Sequence, residues 1–213
     1  MPLLDLARAA VFLDYDGTIS VRDTGVAMLE VLGDPAWREV SAEYERGEIG
    51  SRVCILEEWD LLPKNEAALR EQAMAVAHDV DAEPLIVELR AAGAEVAIVS
   101  DGFGFYVEER LSHLGVPIYT NAVDWATGEL VFPNADRCCA CSSCGTCKQA
   151  PIKDAVRRGL TTVMVGDGVS DQKAALLADV LFAKAGLARW CDHAGVAYEP
   201  FTTLGDVRTA LLG

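Results

Sequence analysis

Three short apolar runs, each followed directly by Asp, Ser or Gly, constrain the fold of this chain most strongly. The runs and the residues that follow them are 10–13 before Asp14, 96–99 before Ser100, and 162–165 before Gly166. Short, partly β-branched runs of this kind are typical of strands buried on both faces of a parallel sheet. Ligands of such sheets bind outside the carboxyl ends of the strands. The three polar clusters are therefore predicted to meet in one crevice.

Helical patterns separate these strands. Residues 84–93 and 105–115 both end in Gly, a common helix terminator. Strands that alternate with helices indicate a doubly wound α/β fold, so we expect a mostly parallel, Rossmann-like sheet. Residues 180–183 are a weaker fourth strand, residues 170–179 are a further helix, and residues 121–132 read as a hairpin.

Residues 24–80 break the alternation, because they contain several helical stretches and no strand. A helical insertion directly after the first strand indicates a small cap over the crevice. The predicted division is an α/β core made of residues 1–20 and 81–213, and a helical cap made of residues 21–80.

The charge of the chain excludes several classes of partner. Its 33 acidic residues outnumber 18 basic ones and give a formal net charge of −15, so no basic surface is present to bind nucleic acid or an anionic membrane. No apolar run is long enough to span a bilayer, and residues 1–16 lack the pattern of a signal peptide. We expect a cytoplasmic protein that acts on a small molecule; the oligomeric state is left open.

Asp14 and Asp16 lie where the first strand should end. Side chains two positions apart share a face of a strand, and the turn at Gly17 allows both carboxylates to point toward one centre. Such a pair can hold Mg²⁺, or one member can attack an electrophile while the other transfers a proton. The alternative is a solvated pair beside a turn glycine, since D-x-D-G also occurs in ordinary turns.

The second cluster, Ser100, Asp101 and Gly102, joins a strand to a helix. Its hydroxyl and backbone N–H groups suit a phosphate, although a serine here can also be a simple helix cap.

The third cluster contributes two more acids, Asp167 at the strand end and Asp171 four residues later. Asp171 lies near the first turn of a predicted helix, where an acid also complements the helix dipole. Four carboxylates in one crevice repel each other strongly, so we expect a bound cation there. A fixed positive charge is also expected for a phosphorylated substrate, and Lys148 and Lys153, shortly before the third strand, are the candidates.

The order of these clusters resembles the haloacid-dehalogenase-like (HAD) phosphohydrolases over nearly the whole chain. The matching motifs are DxDGT, a strand-end Ser, a Lys and GDGxSD. The resemblance implies that Asp14 is the nucleophile that forms an aspartyl-phosphate, and that Asp16 is the general acid and then the base. Ser100, with the backbone N–H groups of Asp101 and Gly102, would hold the phosphoryl oxygens.

The resemblance also implies one Mg²⁺ per chain. Its ligands would be Asp14, the backbone carbonyl of Asp16, and Asp167, with Asp171 in support. Lys148 would stabilise the charge shared by nucleophile and phosphate, and its place at the helix entry matches phosphoserine-phosphatase-like members better than that of Lys153.

Within that subgroup, an acid nine residues after the nucleophile and a cap arginine face the substrate, which here implies Asp23 and Arg52. Phosphoserine phosphatases typically have Glu at the first position, so Asp23 disfavours phosphoserine. A cysteine-rich segment before Lys148 resembles two other groups, and the SDGF sequence resembles the second of them. These are the methionine-salvage 2-hydroxy-3-keto-5-methylthiopentenyl-1-phosphate phosphatases and the phosphocholine/phosphoethanolamine phosphatases.

The cysteine-rich segment places Cys138, Cys141, Cys144 and Cys147 at a regular three-residue interval. Four thiolates could hold Zn²⁺ or an iron–sulfur cluster; redox-sensitive thiols, local disulfides and inert packing are the alternatives.

The sequence thus predicts a Mg²⁺-dependent phosphatase for a small-metabolite phosphomonoester. The preferred substrates are the methionine-salvage enol-phosphate and amino-alcohol phosphates. A phosphoserine phosphatase, a phosphotransferase, and a non-enzymatic metal or redox sensor that uses the cysteine segment are the alternatives.

Overall fold

A six-stranded sheet forms the centre of the structure, a computed structural model that describes residues 4–137 and 143–213. Its strands are β1 (Ala9–Asp14), β2 (Glu95–Val99), β3 (Ile118–Tyr119), β6 (Thr161–Gly166), β7 (Val180–Ala183) and β8 (Glu199–Pro200). They lie in the order β3-β2-β1-β6-β7-β8, and each neighbouring pair is parallel. A separate antiparallel hairpin joins β4 (Ala122–Asp124) to β5 (Glu129–Val131).

Alternation along β1 explains how the sheet is buried. Val11 and Leu13 pack into the core on one face, and Ala10 and Phe12 pack into a second core on the other face. Because both faces are covered, every residue of β1 is apolar until Asp14. Burial of a side chain such as Phe12 contributes about 2 kcal/mol to stability, and the buried strand fixes the position of the carboxylate that ends it.

The helices surround this sheet. They are α1 (Thr24–Leu32), α2 (Trp37–Glu45), α3 (Ser51–Asp60), α4 (Glu66–Ala75), α5 (Ala82–Ala91), α6 (Phe105–Leu111), α7 (Gln149–Arg157), α8 (Gln172–Ala175), α9 (Ala185–Ala194) and α10 (Leu204–Leu212). Helices α1 to α4 follow β1 directly and form the cap. The predicted α/β fold with a helical cap is therefore confirmed, whereas the exact domain boundaries stay a prediction.

Aromatic contacts hold the cap against the core. The indole of Trp59 on α3 donates a hydrogen bond of 2.8 Å to the carbonyl of Gly128 in the β4–β5 hairpin. The Trp59 ring also lies 5.2 Å from that of Phe103 and 6.0 Å from that of Trp125, centroid to centroid. The cap thus rests on both the loop after β2 and the hairpin, which places its helices over the carboxyl ends of the strands.

The segment after β6 differs from the sequence prediction of one helix over residues 170–179. The structure has a 3₁₀ turn, Val169–Asp171, followed by the four-residue helix α8. Asp179 accepts hydrogen bonds from the backbone N–H and the hydroxyl of Thr162, 2.8 and 2.9 Å long. These bonds return the chain to the start of β6, so the helix ends early and β7 begins.

Candidate active site

The tight turn after β1 separates Asp14 from Asp16. Gly17 has a φ of +76°, and a Cβ at this position would overlap the carboxylate of Asp167. The glycine therefore permits both the left-handed backbone and the close approach of the third cluster. Asp14 ends the strand and is buried, with 3% of its surface exposed.

Lys148 is the cation of this site. Its ammonium donates hydrogen bonds to Asp14 Oδ1 at 2.6 Å, Asp171 Oδ1 at 2.7 Å and Ser170 Oγ at 2.8 Å. Burial alone would lower the pKa of Lys148, but the two carboxylates raise it well above its usual value. Lys153, the other candidate, lies within α7, and the choice of Lys148 as the catalytic lysine stays a prediction.

Three carboxylates lie close enough to hold a metal ion. One oxygen each of Asp14, Asp167 and Asp171 falls within 4.8 Å of the others, and among the described residues no other such group of ligands occurs. Burial, then Asp171 and Asp167, raises the pKa of Asp14 well above its usual value. The pKa of Asp167 is raised to about 6, mainly by burial and then by Asp171. A hard divalent cation fits this set, because oxygen ligands suit Mg²⁺ and its charge would offset the repulsion.

Asp171 also has a structural task. Its Oδ2 accepts hydrogen bonds from the backbone N–H groups of Asp167 at 3.0 Å and Gly168 at 3.1 Å, while its Oδ1 binds Lys148. A carboxylate with this many donors is firmly oriented. We expect it to position Asp167 and Lys148 more than to bind an ion itself.

Asp16 occupies a separate environment. Its carboxyl accepts hydrogen bonds from the Thr24 backbone N–H at 3.0 Å, the Tyr106 hydroxyl at 3.1 Å and the Ser100 hydroxyl at 3.4 Å. Burial, and then the charge of Asp23, raises the pKa of Asp16 to about 7. Two carboxyls two residues apart thus have different environments. Asp14 faces a cation, whereas Asp16 lies among hydroxyl groups, an environment that suits a proton donor.

Ser100 and Gly102 of the second cluster lie beside Asp16. The Ser100 hydroxyl accepts a bond of 3.1 Å from the backbone N–H of Gly102 and points at Asp16. The predicted phosphate donors therefore lie beside the predicted acid, with the Gly102 N–H already paired. Gly102 is required here, because a Cβ would overlap both Asp16 and the Tyr106 hydroxyl.

The side chain of Asp101 links three segments of the chain. Its carboxylate accepts hydrogen bonds from the Ser51 hydroxyl on the cap, the Thr146 backbone N–H at 2.6 Å and the Asn121 amide at 3.3 Å. The Thr146 hydroxyl in turn donates to Asn121 Oδ1 at 3.0 Å. This network ties the cap and the loop before Lys148 to the end of β2.

The two predicted cap residues have different positions. Asp23 lines the cavity above Asp16 and caps α1, accepting a 2.8 Å hydrogen bond from the Val26 N–H. Arg52 is not among the described residues that line this cavity. Its guanidinium donates to the Cys144 carbonyl at 3.0 Å and to Asp136 at 2.9 Å. The structure therefore brings Asp23, but not Arg52, to the cavity that Asp14 and Asp16 line.

A cavity of about 520 Å³ is lined by Asp14, Asp16, Asp23 and Asp167 together with cap residues. Its floor holds Asp14, Asp16 and Asp167 from the core, and α2 and α3 of the cap form its roof. This size suits a small metabolite.

Two of the four cysteines of the predicted metal or redox site, Cys138 and Cys141, lie outside the described residues. Cys144 is partly buried, with its Sγ 3.6 Å from the Lys173 ammonium, and Cys147 is buried directly before Lys148. Nothing in the described structure supports Zn²⁺ or an iron–sulfur cluster at this pair.

Sequence reasoning missed Tyr106, Ser170 and Asn121. Tyr106 reaches Asp16 from α6, and no motif marks an aromatic residue at this position. Ser170 lies inside the GDGxSD motif, so its contact with Lys148 could have been foreseen from the proximity of Asp171.

A family model described as haloacid dehalogenase-like hydrolase matches residues 11–176. The chain belongs to this family. Two curated relatives, both named 2-hydroxy-3-keto-5-methylthiopentenyl-1-phosphate phosphatase, extend the similarity over almost the full length. The protein of Exiguobacterium sp. is 27% identical over 95% of this chain and 97% of its own length. That of Brevibacillus brevis is 28% identical over 94% and 93%. The predicted identity as a HAD-type phosphatase is confirmed.

Solved structures of phosphoserine phosphatases share the fold. A substrate-bound complex has a TM-score of 0.72 at 19% identity and covers 96% of this chain and 98% of its own. A phospho-aspartyl intermediate analogue has a TM-score of 0.73 at 21% identity with the same coverage. The described residues include no helix long and apolar enough to cross a membrane.

Proposed function

We propose that this chain is a Mg²⁺-dependent phosphatase that hydrolyses a small phosphomonoester through an aspartyl-phosphate on Asp14. The observation that carries the proposal is that the two carboxyls have different partners. Asp14 accepts a hydrogen bond from the buried ammonium of Lys148, whereas Asp16 accepts hydrogen bonds from hydroxyl groups. Phosphoryl transfer requires positioning and charge neutralisation more than new covalent chemistry, and this arrangement supplies both.

In the first step, a carboxylate oxygen of Asp14 attacks phosphorus while the bond from phosphorus to the ester oxygen breaks. Asp16 gives its proton to the departing oxygen, which leaves as an alcohol. Lys148 stabilises the negative charge on the nucleophile and the phosphoryl group. Ser100 and the Gly102 N–H exchange their present hydrogen bonds for the phosphoryl oxygens.

In the second step, a water molecule attacks phosphorus and passes a proton to Asp16, now acting as a base. The bond between phosphorus and Asp14 breaks, which releases inorganic phosphate and restores both carboxyls. Mg²⁺ would be held by Asp14, the Asp16 carbonyl and Asp167, with Asp171 in support, and would neutralise charge on the phosphoryl group.

The preferred substrates are the methionine-salvage enol-phosphate and amino-alcohol phosphates. The first is supported by the names of the two curated relatives, which are similar along almost the whole chain. A phosphotransferase would use the same aspartyl-phosphate with an alcohol in place of water. A cytoplasmic location is part of this proposal.

The test is a phosphate-release assay on the purified protein with Mg²⁺. The panel comprises p-nitrophenyl phosphate, the methionine-salvage enol-phosphate, phosphocholine, phosphoethanolamine and phosphoserine, each repeated with EDTA. We expect EDTA-sensitive release and one clearly preferred natural substrate. No release from any compound by folded protein would contradict the proposal. Release that appears only as transfer to an added alcohol would favour the phosphotransferase.

A further inference from the structure

The roof of the cavity carries acids that the reaction described above does not use. One face of α3 lines the cavity with Ser51, Cys54, Ile55 and Glu58, at the spacing of successive helical turns. One face of α2 adds Ser41, Tyr44 and Glu45. A roof that only excluded water would be apolar, so these polar groups indicate contact with a polar part of the substrate.

Glu58 is the best-oriented of these acids. Its carboxyl accepts a short hydrogen bond from the Ser41 hydroxyl on the neighbouring helix. The Cys54 thiol, one turn earlier on α3, lies close enough to influence this carboxyl as well. These contacts fix Glu58 toward the cavity rather than toward bulk water. Burial, and additionally the charge of Asp23, raises the pKa of Glu58 to about 7, so the fold holds this acid at a cost in stability.

The charge around Glu58 restricts what can bind beside it. Asp23 and Glu45 also line this part of the cavity, and the described cation that lines it is Arg189, on α9 of the core. Arg189 lies near Gly186 and the loop of Asp167 rather than in the roof. Arg52, the cap arginine expected to face the substrate, is directed at the Cys144 carbonyl and Asp136 instead. A substrate carboxylate would therefore meet acids at the roof.

We propose that Glu58, oriented by Ser41, determines specificity by accepting a hydrogen bond from a hydroxyl or ammonium group on the leaving alcohol and by repelling a carboxylate there. This inference rests on the proposed phosphatase function. The substrate class is a phosphomonoester whose carbon chain carries a hydrogen-bond donor and no carboxylate.

Four small esters isolate these features. Ethyl phosphate has no donor, 2-hydroxyethyl phosphate adds a hydroxyl, phosphoethanolamine carries an ammonium in its place, and phosphoserine is phosphoethanolamine with a carboxylate. For the native protein with Mg²⁺, we expect kcat/KM at least about tenfold higher for the two donor esters than for ethyl phosphate. Phosphoserine should fall well below phosphoethanolamine. The ratio of the two donor esters distinguishes a hydroxyl ligand from an ammonium ligand.

Glu58→Gln keeps the shape of the side chain and removes its charge. We expect kcat/KM for the donor esters to fall about 10- to 100-fold, with ethyl phosphate and p-nitrophenyl phosphate changed less than about threefold and phosphoserine relatively improved. Ser41→Ala should produce the same selective loss at a smaller size. Glu57→Gln is the matched control, because Glu57 is exposed on the same helix and does not line the cavity.

The possible outcomes distinguish a failure of this inference from a failure of the proposed phosphatase function. Equal rates for all four esters in the native protein, or a uniform loss for every substrate in Glu58→Gln, would overturn the role of Glu58 and leave the phosphatase intact. A preference for phosphoserine that Arg189→Gln abolishes would overturn it in favour of carboxylate binding at Arg189. No turnover of even p-nitrophenyl phosphate would overturn the proposed function and this inference together.

Discussion

The floor and the roof of the cavity both contain acids that are at least partly buried, but the charge of these acids is compensated differently in the two regions. On the floor, Lys148 compensates Asp14 and Asp171 directly, and the end of β1 fixes the position of Asp14. On the roof, Glu58 has a hydroxyl and a thiol as partners and no described cation. A buried acid that is paired with a cation can act in the chemical step, which is the same for every substrate. A buried acid without one is costly, and it can be useful when the substrate supplies the missing donor.

The largest effect that this comparison predicts comes from Asp14, the proposed nucleophile. Asp14→Asn keeps the shape of the side chain but removes the attacking charge, so turnover of every substrate should fall by roughly 10³-fold or more. Circular dichroism should show the fold unchanged. Asp60→Asn, an exposed position on the cap with 83% of its side chain accessible, is the control and should retain full activity. Normal turnover by Asp14→Asn would remove the basis of the mechanism.

Lys148→Met tests whether the floor depends on its central cation. The change leaves the carboxylates of Asp14 and Asp171 buried without their partner, and loss of one member of a buried ion pair typically costs about 3–5 kcal/mol. We expect a lower free energy of unfolding in urea, partial recovery with added Mg²⁺, and loss of turnover. Lys153→Met, on the same helix, should have a much smaller effect on both. The reverse ranking of the two lysines would reassign the catalytic cation.

Most of the floor could be predicted from the sequence, because the backbone alone places it. Once β1 and β6 are known to be adjacent parallel strands, Asp14 and Asp167 must lie side by side. Lys148 was less certain, since its contact depends on the loop before α7 and on the tilt of that helix. The roles of Asp101 and Tyr106 could not be predicted, because their partners come from distant segments whose packing no motif encodes.

The roof was predicted less well for the same reason. A helical insert was evident from residues 24–80, but which face of each helix points at the cavity depends on how Trp59 docks on the core. Asp23 was expected by resemblance, from its place nine residues after Asp14, and it lines the cavity. Arg52 was expected in the cavity by resemblance, and the structure places its guanidinium on the loop before Lys148 instead.

Arg52→Gln tests the role of this residue, because Arg52 connects the roof to the loop before Lys148. Loss of its hydrogen bonds to the Cys144 carbonyl and Asp136 should lower kcat for all substrates alike, by several-fold, since the loop positions Lys148. The cost in stability should be about 1 kcal/mol, because the Asp136 side chain of this ion pair is 56% exposed to solvent. The measurement is kcat and KM for phosphoethanolamine and phosphoserine. A rise in KM confined to phosphoserine would instead indicate that Arg52 binds the substrate.

The smallest predicted effect concerns the stability cost of Glu58. Its pKa is about 7 in the folded protein against 4.5 for an unperturbed Glu. The folded state therefore favours the protonated form, and this stability is fully present below about pH 4.5 and lost as the pH rises through about 7. Glu58→Gln does not ionise, so it should be more stable than the native protein at pH 8, by about 1–2 kcal/mol for a partly solvated group.

At pH 4, below the pKa of an unperturbed Glu, that difference should nearly vanish. Urea unfolding of both proteins at the two pH values, without Mg²⁺, measures it independently of catalysis. The groups that face Glu58 are Ser41, Cys54 and Asp23, and Asp23 is common to both proteins, so the change in the difference reports on Glu58. A difference that stays constant with pH would mean that Glu58 is solvated in the folded protein. The roof would then place no buried acid against the substrate, and the contrast between the two halves of the cavity would be lost.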